Sequence, residues 1–595
     1  MSAPLDLAGL ARERMAREAT KKRARDEQVS PPPSRKAPRL ESSTVTFDSG
    51  AKLVSLSSVV DSQQRSRKSA VANAANARLR TANVSLPTRP STESTALPDS
   101  ASRPPGSLAF PTGVVKKTWA LGHPRDGSDI KLEEVLEPTT LRTAVLSAFQ
   151  WNPTWLLAKL RRSQTKCIFV MQAKTFEERE QIAEAQVDNS SWLRFVFPSM
   201  ENGVNCMHSK LMLLFHPEKL RVAVPTANLL DFDWGETGVM ENSVWLIDLP
   251  RLPKERKMEE RELTAFGKEL MYFMRKAGYP QDVLDGIPSF EFAGTAGVAF
   301  VHTVGGMSYG GEAQRTGLPG LARAVRDLDL ISKDTEIDFA ASSIGSLNDE
   351  YLSHFHAAVS GENMVARASS ATAAAKASFF TAKKASPSDH SIRDKIRIYF
   401  PTKETVQDST AGAAGTICLN RKWFESMTFP RRCFRDYISM RPGLLSHNKI
   451  LYARGRRKET SVSVNKERGR GNGSGEDSET EDEGEASAAP SAGKAGAAAE
   501  RAGGQVAWAY VGSSNMSESA WGKLVYDKKA KEWKVTCRNW ECGVLIPVLT
   551  GKEANTQRQD GLADMSVFDG LVKPPFMIPG VEYDGREPWY FQEQH

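Results

Sequence analysis

Short apolar runs, separated by polar and turn-forming stretches, recur along the chain and predict buried strands. A first set lies at residues 167–171, 193–197, 211–215, 220–224 and 244–247. A second lies at 298–301, 337–341, 396–400, 449–453, 506–511 and 542–547. Between them, residues 259–276 place Leu263, Phe266, Leu270 and Phe273 on one helical face, and Gly278 and Pro280 follow. That spacing predicts an amphipathic helix whose apolar stripe faces a core. Strands with interspersed helices predict an α/β fold, divided near residue 292.

Three stretches break the pattern. Residues 1–115 are rich in Ser, Pro, Ala, Thr and Arg and poor in aromatics, so a disordered tail is expected. Residues 366–388 are Ala/Ser/Lys-rich. Residues 454–505 begin basic, turn acidic at 476–485 and end Ala/Gly-rich. Such a composition cannot bury a core and predicts a long solvated insert. The expected organisation is a tail over 1–115, a first domain over 116–291 and a second over 292–595 that carries the insert.

Composition and charge add bounds. The chain has 595 residues, 40% of them hydrophobic, enough for a large core. A net charge of +7 fits a polyanionic partner, and equally an ordinary soluble protein with a basic tail. Within the tail, Lys21, Lys22, Arg23 and Arg25 are followed after a spacer by Arg35 and Lys36. That spacing resembles a bipartite nuclear localisation signal, so a nuclear location is expected. Six scattered cysteines contain no C-x-x-C pair, and neither a zinc site nor a disulfide framework is predicted. No apolar run reaches membrane-spanning length, and no membrane partner is expected.

The chemistry lies in a repeated pattern. The first half carries His208-Ser209-Lys210 on an apolar strand, then Asn228 just past a later strand. The second carries His447-Asn448-Lys449, then, across the insert, Asn515. Residues i and i+2 of a strand share a face, so each His and Lys are presented together. If the halves pack about a pseudo-twofold axis, two His, two Lys and two Asn converge. That set suits phosphoryl transfer. The lysines and amides neutralise and orient phosphate oxygens. One imidazole can attack phosphorus while the other serves as acid and then base. A Lys beside each His repels a cation and no carboxylate cluster accompanies them, so no metal or other cofactor is expected. A single H-x-K triplet arises often by chance; its duplication with an Asn is what carries the inference.

At these motifs the chain resembles the phospholipase D superfamily, and within it the tyrosyl-DNA phosphodiesterase family. Most of the superfamily has an Asp five residues after the motif Lys; here those positions are Phe215 and Arg454. Other matching stretches are Ser147-Ala148-Phe149-Gln150-Trp151-Asn152 followed by Trp155-Leu156, which resembles the first helix of that family, Thr226-Ala227-Asn228-Leu229, Ser342 to Leu347, Ser514 to Ser517 and Trp540 to Leu545. The resemblance implies two phospholipase D-like α-β-α sandwich domains related by a pseudo-twofold axis. It implies that His208 is the nucleophile and His447 the general acid, then base. Lys210, Lys449, Asn228 and Asn515 would hold the phosphate, and Glu541 would orient His208. Ser343, Gly345, Ser346 and Ser517 occupy positions that touch the DNA backbone. The implied partners are single- or double-stranded DNA with a 3′ adduct and a topoisomerase I-derived peptide, handled by a monomer.

Two departures stand out. The run Val204-Asn205-Cys206-Met207 lacks the aromatic expected shortly before the first His. The amide expected to support the second His falls on Asn242. Two alternatives compete: another nuclease or lipid phosphodiesterase of the superfamily, and a non-catalytic nuclear DNA-binding protein. The missing Asp residues and the basic tail weigh against the lipid version. The full set of six polar residues weighs against loss of catalysis.

Overall fold

The computed structural model describes residues 108–187, 191–370, 390–457, 504–550 and 561–591. The basic clusters of the tail and most of the insert lie outside the described residues. In chain order the strands begin with β1 (Val114–Thr118), β2 (Asp129–Ile130), β3 (Thr143–Ser147), β4 (Lys166–Val170) and β5 (Leu193–Val196). They continue with β6 (Cys206–Met207), β7 (Leu211–Phe215), β8 (Lys219–Pro225), β9 (Met240–Glu241) and β10 (Ser243–Pro250). The second half adds β11 (Ala299–Thr303), β12 (Gly306–Tyr309), β13 (Ser332–Ala341), β14 (Ile396–Tyr399), β15 (Phe434–Arg435) and β16 (Leu445–Ser446). It ends with β17 (Lys449–Arg457), β18 (Gln505–Gly512), β19 (Lys523–Asp527), β20 (Glu532–Cys537) and β21 (Asn539–Thr550).

The two large sheets repeat one topology. The first runs β2-β1-β10-β8-β7-β3-β4-β5 and the second β11-β21-β18-β17-β13-β14-β15. Omitting β2, each position in one has its counterpart in the other. The senses agree too: β3 is parallel to β4 and antiparallel to β7, as β13 is to β14 and β17. The sheets share a core. Leu220, Val222 and Val224 of β8 and Ile450 and Tyr452 of β17 contribute to one buried cluster. Alternate residues turn the other way: Ala223 packs in the first half's outer core, Leu451 and Ala453 in the second's. This is the period-two pattern of strands covered on both faces.

Local chemistry sets the element ends and corrects four sequence expectations. The amphipathic helix runs Ala265–Lys276, starting later than 259, because Thr264 caps it by accepting the Gly267 N–H at 3.2 Å. Residues Glu260–Glu262 form a separate 3₁₀ turn. Of the stretch likened to a first helix only the end is helical: Trp155 and Leu156 lie on a helix and Ser147 to Asn152 do not. Ser147 closes β3, and the helix Pro153–Ala158 follows, with Asn152 accepting from Trp155 N at 3.1 Å and proline in the first turn. The insert begins later than 454. Arg454 is buried on β17, 3.3 Å from carboxylate oxygens of Asp338 and Glu336, which keeps the strand paired through Arg457. The folded body starts before residue 116: Ala109 N and Phe110 N donate to Asp248 Oδ2 at 3.0 and 3.3 Å, and β1 begins at Val114.

Candidate active site

Each motif histidine is hung from the backbone of the other half. The short strand β6 runs parallel to β21, and the next residue, His208, donates its N–H to Trp540 O at 3.0 Å. The short strand β16 runs parallel to β9, and His447 donates its N–H to Glu241 O at 3.1 Å. Each motif crosses to the opposite half and then enters its own sheet as β7 or β17. The pseudo-twofold arrangement therefore brings His208, Lys210, His447 and Lys449 into one place. All are buried, and the two lysine charges act on each other and on the partner histidines.

The side chains are oriented by carboxylates. His208 Nδ1 lies 2.8 Å from Glu541 Oε2. An ionised carboxylate only accepts, so Nδ1 carries the proton and Nε2 keeps its lone pair. Lys210 Nζ sits 3.5 Å from that Nε2 and donates to His208 O at 2.9 Å. Lys449 Nζ donates to His447 O at 2.6 Å. Burial, assisted by Lys210 and opposed by Glu541, lowers the His208 pKa and favours the neutral ring. Burial and Lys449 push His447 down to about 4, against the pull of Asp233. Burial also lowers Lys210; burial and the Lys210 charge hold Lys449 well below the usual ammonium range. Among the described residues neither lysine forms an ion pair with a carboxylate. A buried cation without a partner costs several kcal/mol, and an arriving phosphate anion offsets that cost.

The asparagines are aimed by loops that follow corresponding strands. Asn515 Oδ1 accepts from Ser343 N at 3.0 Å and from Ser342 Oγ at 3.2 Å, beyond β13. Asn228 Oδ1 accepts from Gln150 N at 3.3 Å, beyond β3. With each carbonyl oxygen engaged, the amide N–H groups are the ends left to donate to an anion. Asn228 Nδ2 keeps only a 3.5 Å contact with Gln150 Oε1.

The Ser343–Ser346 turn is clipped to the segment after Asn515. Gly345 N donates to Met516 O at 2.9 Å. A Cβ on Gly345 would lie 2.7 Å from Ser517 Cβ, so only glycine permits this approach. Ser343, Gly345 and Ser517 are half-buried and Ser346 is exposed, and Ser343 N is bonded to the motif residue Asn515. Ser517 Oγ accepts from Ala520 N at 3.2 Å as a helix cap, which leaves its O–H to donate.

Sequence reasoning missed three contributors. Phe149, in the loop after β3, places its ring centroid 5.3 Å from that of His208. Ser513 donates to Glu541 Oε2 at 2.6 Å. Asp233, rather than Asn242, meets His447: its Oδ2 lies 3.2 Å from Nδ1. Asn242 is spent on Thr226 Oγ1 at 2.7 Å and Asp233 O at 2.9 Å. The available signal was a carboxylate flanked by aromatics in Phe232-Asp233-Trp234, five residues past a motif Asn. No group of three or more His, Cys, Asp or Glu side chains with metal-binding geometry occurs among the described residues.

The family model described as tyrosyl-DNA phosphodiesterase matches residues 114–584. Among solved structures, that of the yeast tyrosyl-DNA phosphodiesterase is similar, at 15% identity and a TM-score of 0.50, over 80% of this chain and 100% of that one. A mutant of the yeast enzyme is similar at 16% identity and the same TM-score, over 80% of this chain and 99% of the other. At such identities the likeness shows the fold. No curated protein matches the sequence.

Proposed function

The chain belongs to the tyrosyl-DNA phosphodiesterase family and is a phosphodiesterase, and from that premise we propose that it hydrolyses the 3′-phosphotyrosyl bond between DNA and a topoisomerase I-derived peptide through a phosphohistidine intermediate. Related 3′ adducts fall within the same chemistry. The observation that carries this reading is the pair of carboxylate-held imidazoles beside two buried lysines that, among the described residues, form no ion pair with a carboxylate.

In the first step the His208 Nε2 lone pair attacks phosphorus and the bond to the tyrosyl oxygen breaks. His447, protonated as the phosphate anion binding beside it raises its proton affinity, gives its Nε2 proton to that oxygen. A phenol has a pKa of about 10, so the group departs with limited help. Lys210, Lys449 and the two asparagine amides take up the charge on the non-bridging oxygens. The phosphorylated imidazole is cationic, and Glu541 stabilises it. In the second step His447 removes a proton from water, the water oxygen attacks phosphorus, and the P–N bond breaks to leave a 3′-phosphate and free His208. A neutral His447 is the form this step needs. The bound DNA strand follows the polar rim of Ser343, Gly345, Ser346 and Ser517.

Turnover of a 3′-phosphotyrosyl oligonucleotide in excess EDTA tests the reading. Full activity is expected, because the charge the transition state needs comes from the lysines. Loss in EDTA that magnesium restores would overturn the mechanism. In the same assay phosphatidylcholine should release no choline; release at a comparable rate would favour a lipid phosphodiesterase.

We also place the protein in the nucleus, on the basic clusters at Lys21–Arg25 and Arg35–Lys36. Neutralising Lys21, Lys22, Arg23, Arg35 and Lys36 should reduce nuclear accumulation and leave activity on a short oligonucleotide intact. A truncation for such work should stop at residue 107, because Ala109 and Phe110 bond to Asp248. An unchanged cellular distribution would refute the assignment.

A further inference from the structure

The two histidines are held alike at the backbone and differently at the side chain. His208 bonds to Trp540 O, and the next residue, Glu541, takes its Nδ1–H. His447 bonds to Glu241 O, and the next residue is Asn242. Its shorter side chain turns instead to Thr226 and to the backbone of Asp233. The carboxylate for His447 comes from elsewhere, from the loop after β8. Asp233 is fully buried, and its Oδ2 accepts from Asn228 N at 2.7 Å while facing His447 Nδ1 at 3.2 Å. Its Oδ1 is buried and has no hydrogen-bond partner among the described residues. Glu541 differs: its Oε2 accepts from His208 and Ser513, and its Oε1 accepts from Asn539 Nδ2 at 2.9 Å.

We infer that Asp233 is the positioning residue for His447, holding it in the Nδ1–H tautomer while seating Asn228 at the phosphate. The inference deepens the proposed phosphohistidine mechanism and rests on it. The charged groups acting on His447 are Lys449 two residues along the same motif, Lys210 from the first half and Asp233. Both lysines oppose a positive ring, and Asp233 favours it. When His447 takes a proton from water, the resulting imidazolium gains the attraction of Asp233, whose second oxygen is free to join it. One carboxylate thus links the base of the second step to a phosphate ligand of both steps.

The variant Asp233→Asn separates the two steps. An amide oxygen in the place of Oδ2 can still accept the Asn228 N–H and face His447 Nδ1, since Oδ2 makes both contacts, but it carries no charge. The imidazolium formed when His447 takes a proton from water then loses the attraction that Asp233 supplied. The base of the second step is weakened, whereas the phenolic leaving group of the first needs limited protonation. With a 3′-phosphotyrosyl oligonucleotide and rapid quenching, tyrosine release in the first turnover should stay within about fivefold of wild type. Hydrolysis of the adduct should fall about tenfold or more, as expected of a weakened general base. The pH below which protonation of His447 slows hydrolysis should shift downward. Equal slowing of both steps with the pH profile retained would mean that Asp233 only seats Asn228, and would overturn the inference. Wild-type hydrolysis in the variant would do the same.

His447→Ala is the control: no adduct there or in wild type would reject the covalent reading itself, whereas an adduct there with normal hydrolysis in Asp233→Asn would reject only the role of Asp233. Should Asp233→Asn not fold, the tautomer can be read in the wild type by nitrogen–proton correlation of the imidazoles. The His447 proton is expected on Nδ1; finding it on Nε2 would overturn the inference.

Discussion

His208→Ala is expected to abolish both the covalent adduct and turnover of a 3′-phosphotyrosyl oligonucleotide, lowering the rate by a factor on the order of 10⁴ or more. Alanine removes the Nε2 lone pair that attacks phosphorus. It also leaves the Glu541 carboxylate buried without its imidazole, beside Ser513 and Asn539. The lysines and asparagines remain, so DNA ending in a 3′-phosphate should still bind. The measurement is a rapid-quench assay for tyrosine release and protein-linked DNA. Substantial turnover in His208→Ala would rule out covalent catalysis by this residue.

His447→Ala is expected to behave in the opposite way, accumulating the adduct. The first step survives because the phenolic leaving group needs limited protonation. The second needs a base, and its loss should slow hydrolysis of the intermediate by about 10²–10⁴. The accumulated species should be acid-labile, as a phosphoramidate is, and should map to the peptide containing His208. An adduct on His447 in the wild-type protein would reverse the assignment of nucleophile and base. Because His447 is held near a pKa of about 4 in the free site, with Asp233 pulling upward, an anion bound beside it should raise that value. The pH at which hydrolysis begins to fail should therefore lie above 4.

The division of labour between the histidines is written in broken symmetry. A duplicated site has two equal halves only if each supporting residue is duplicated. Here the position after the backbone acceptor is Glu541 in one half and Asn242 in the other. A carboxylate on a strand in one case and a carboxylate on a loop in the other hold two imidazoles with different surroundings. Asp233 also touches Asn228 and carries an unpaired oxygen, whereas Glu541 is saturated.

Much of this was legible in the residues, because the signals are short-ranged. Strand runs such as 211–215 and 506–511 announce themselves by unbroken apolar character, since both faces of each sheet are covered. The H-x-K triplets were legible as motifs, but the strands expected to hold them begin only at Leu211 and at Lys449, so His208, Lys210 and His447 are oriented by the crossing between the halves rather than by strand alternation. The apolar stripe of the 265–276 helix needed only its period, although its start was set by the Thr264 cap. Where composition was used alone it failed at edges. Arg454 looked like the first residue of a basic insert and is a buried strand residue paired with Asp338 and Glu336.

The sequence by itself determined the α/β class, the duplicated motif and the chemical character of its six polar residues, because these follow from backbone periodicity and side-chain type. Only the tertiary structure decided what those residues touch. That His208 hangs from Trp540 and His447 from Glu241, that Phe149 reaches His208 from the β3 loop, and that Asp233 displaces Asn242 as the partner of His447, all depend on how the two sheets share a core and bring segments far apart in the chain into register. A carboxylate's reach is a matter of about one methylene, and that distance is set by packing between the halves rather than by any pattern along the chain.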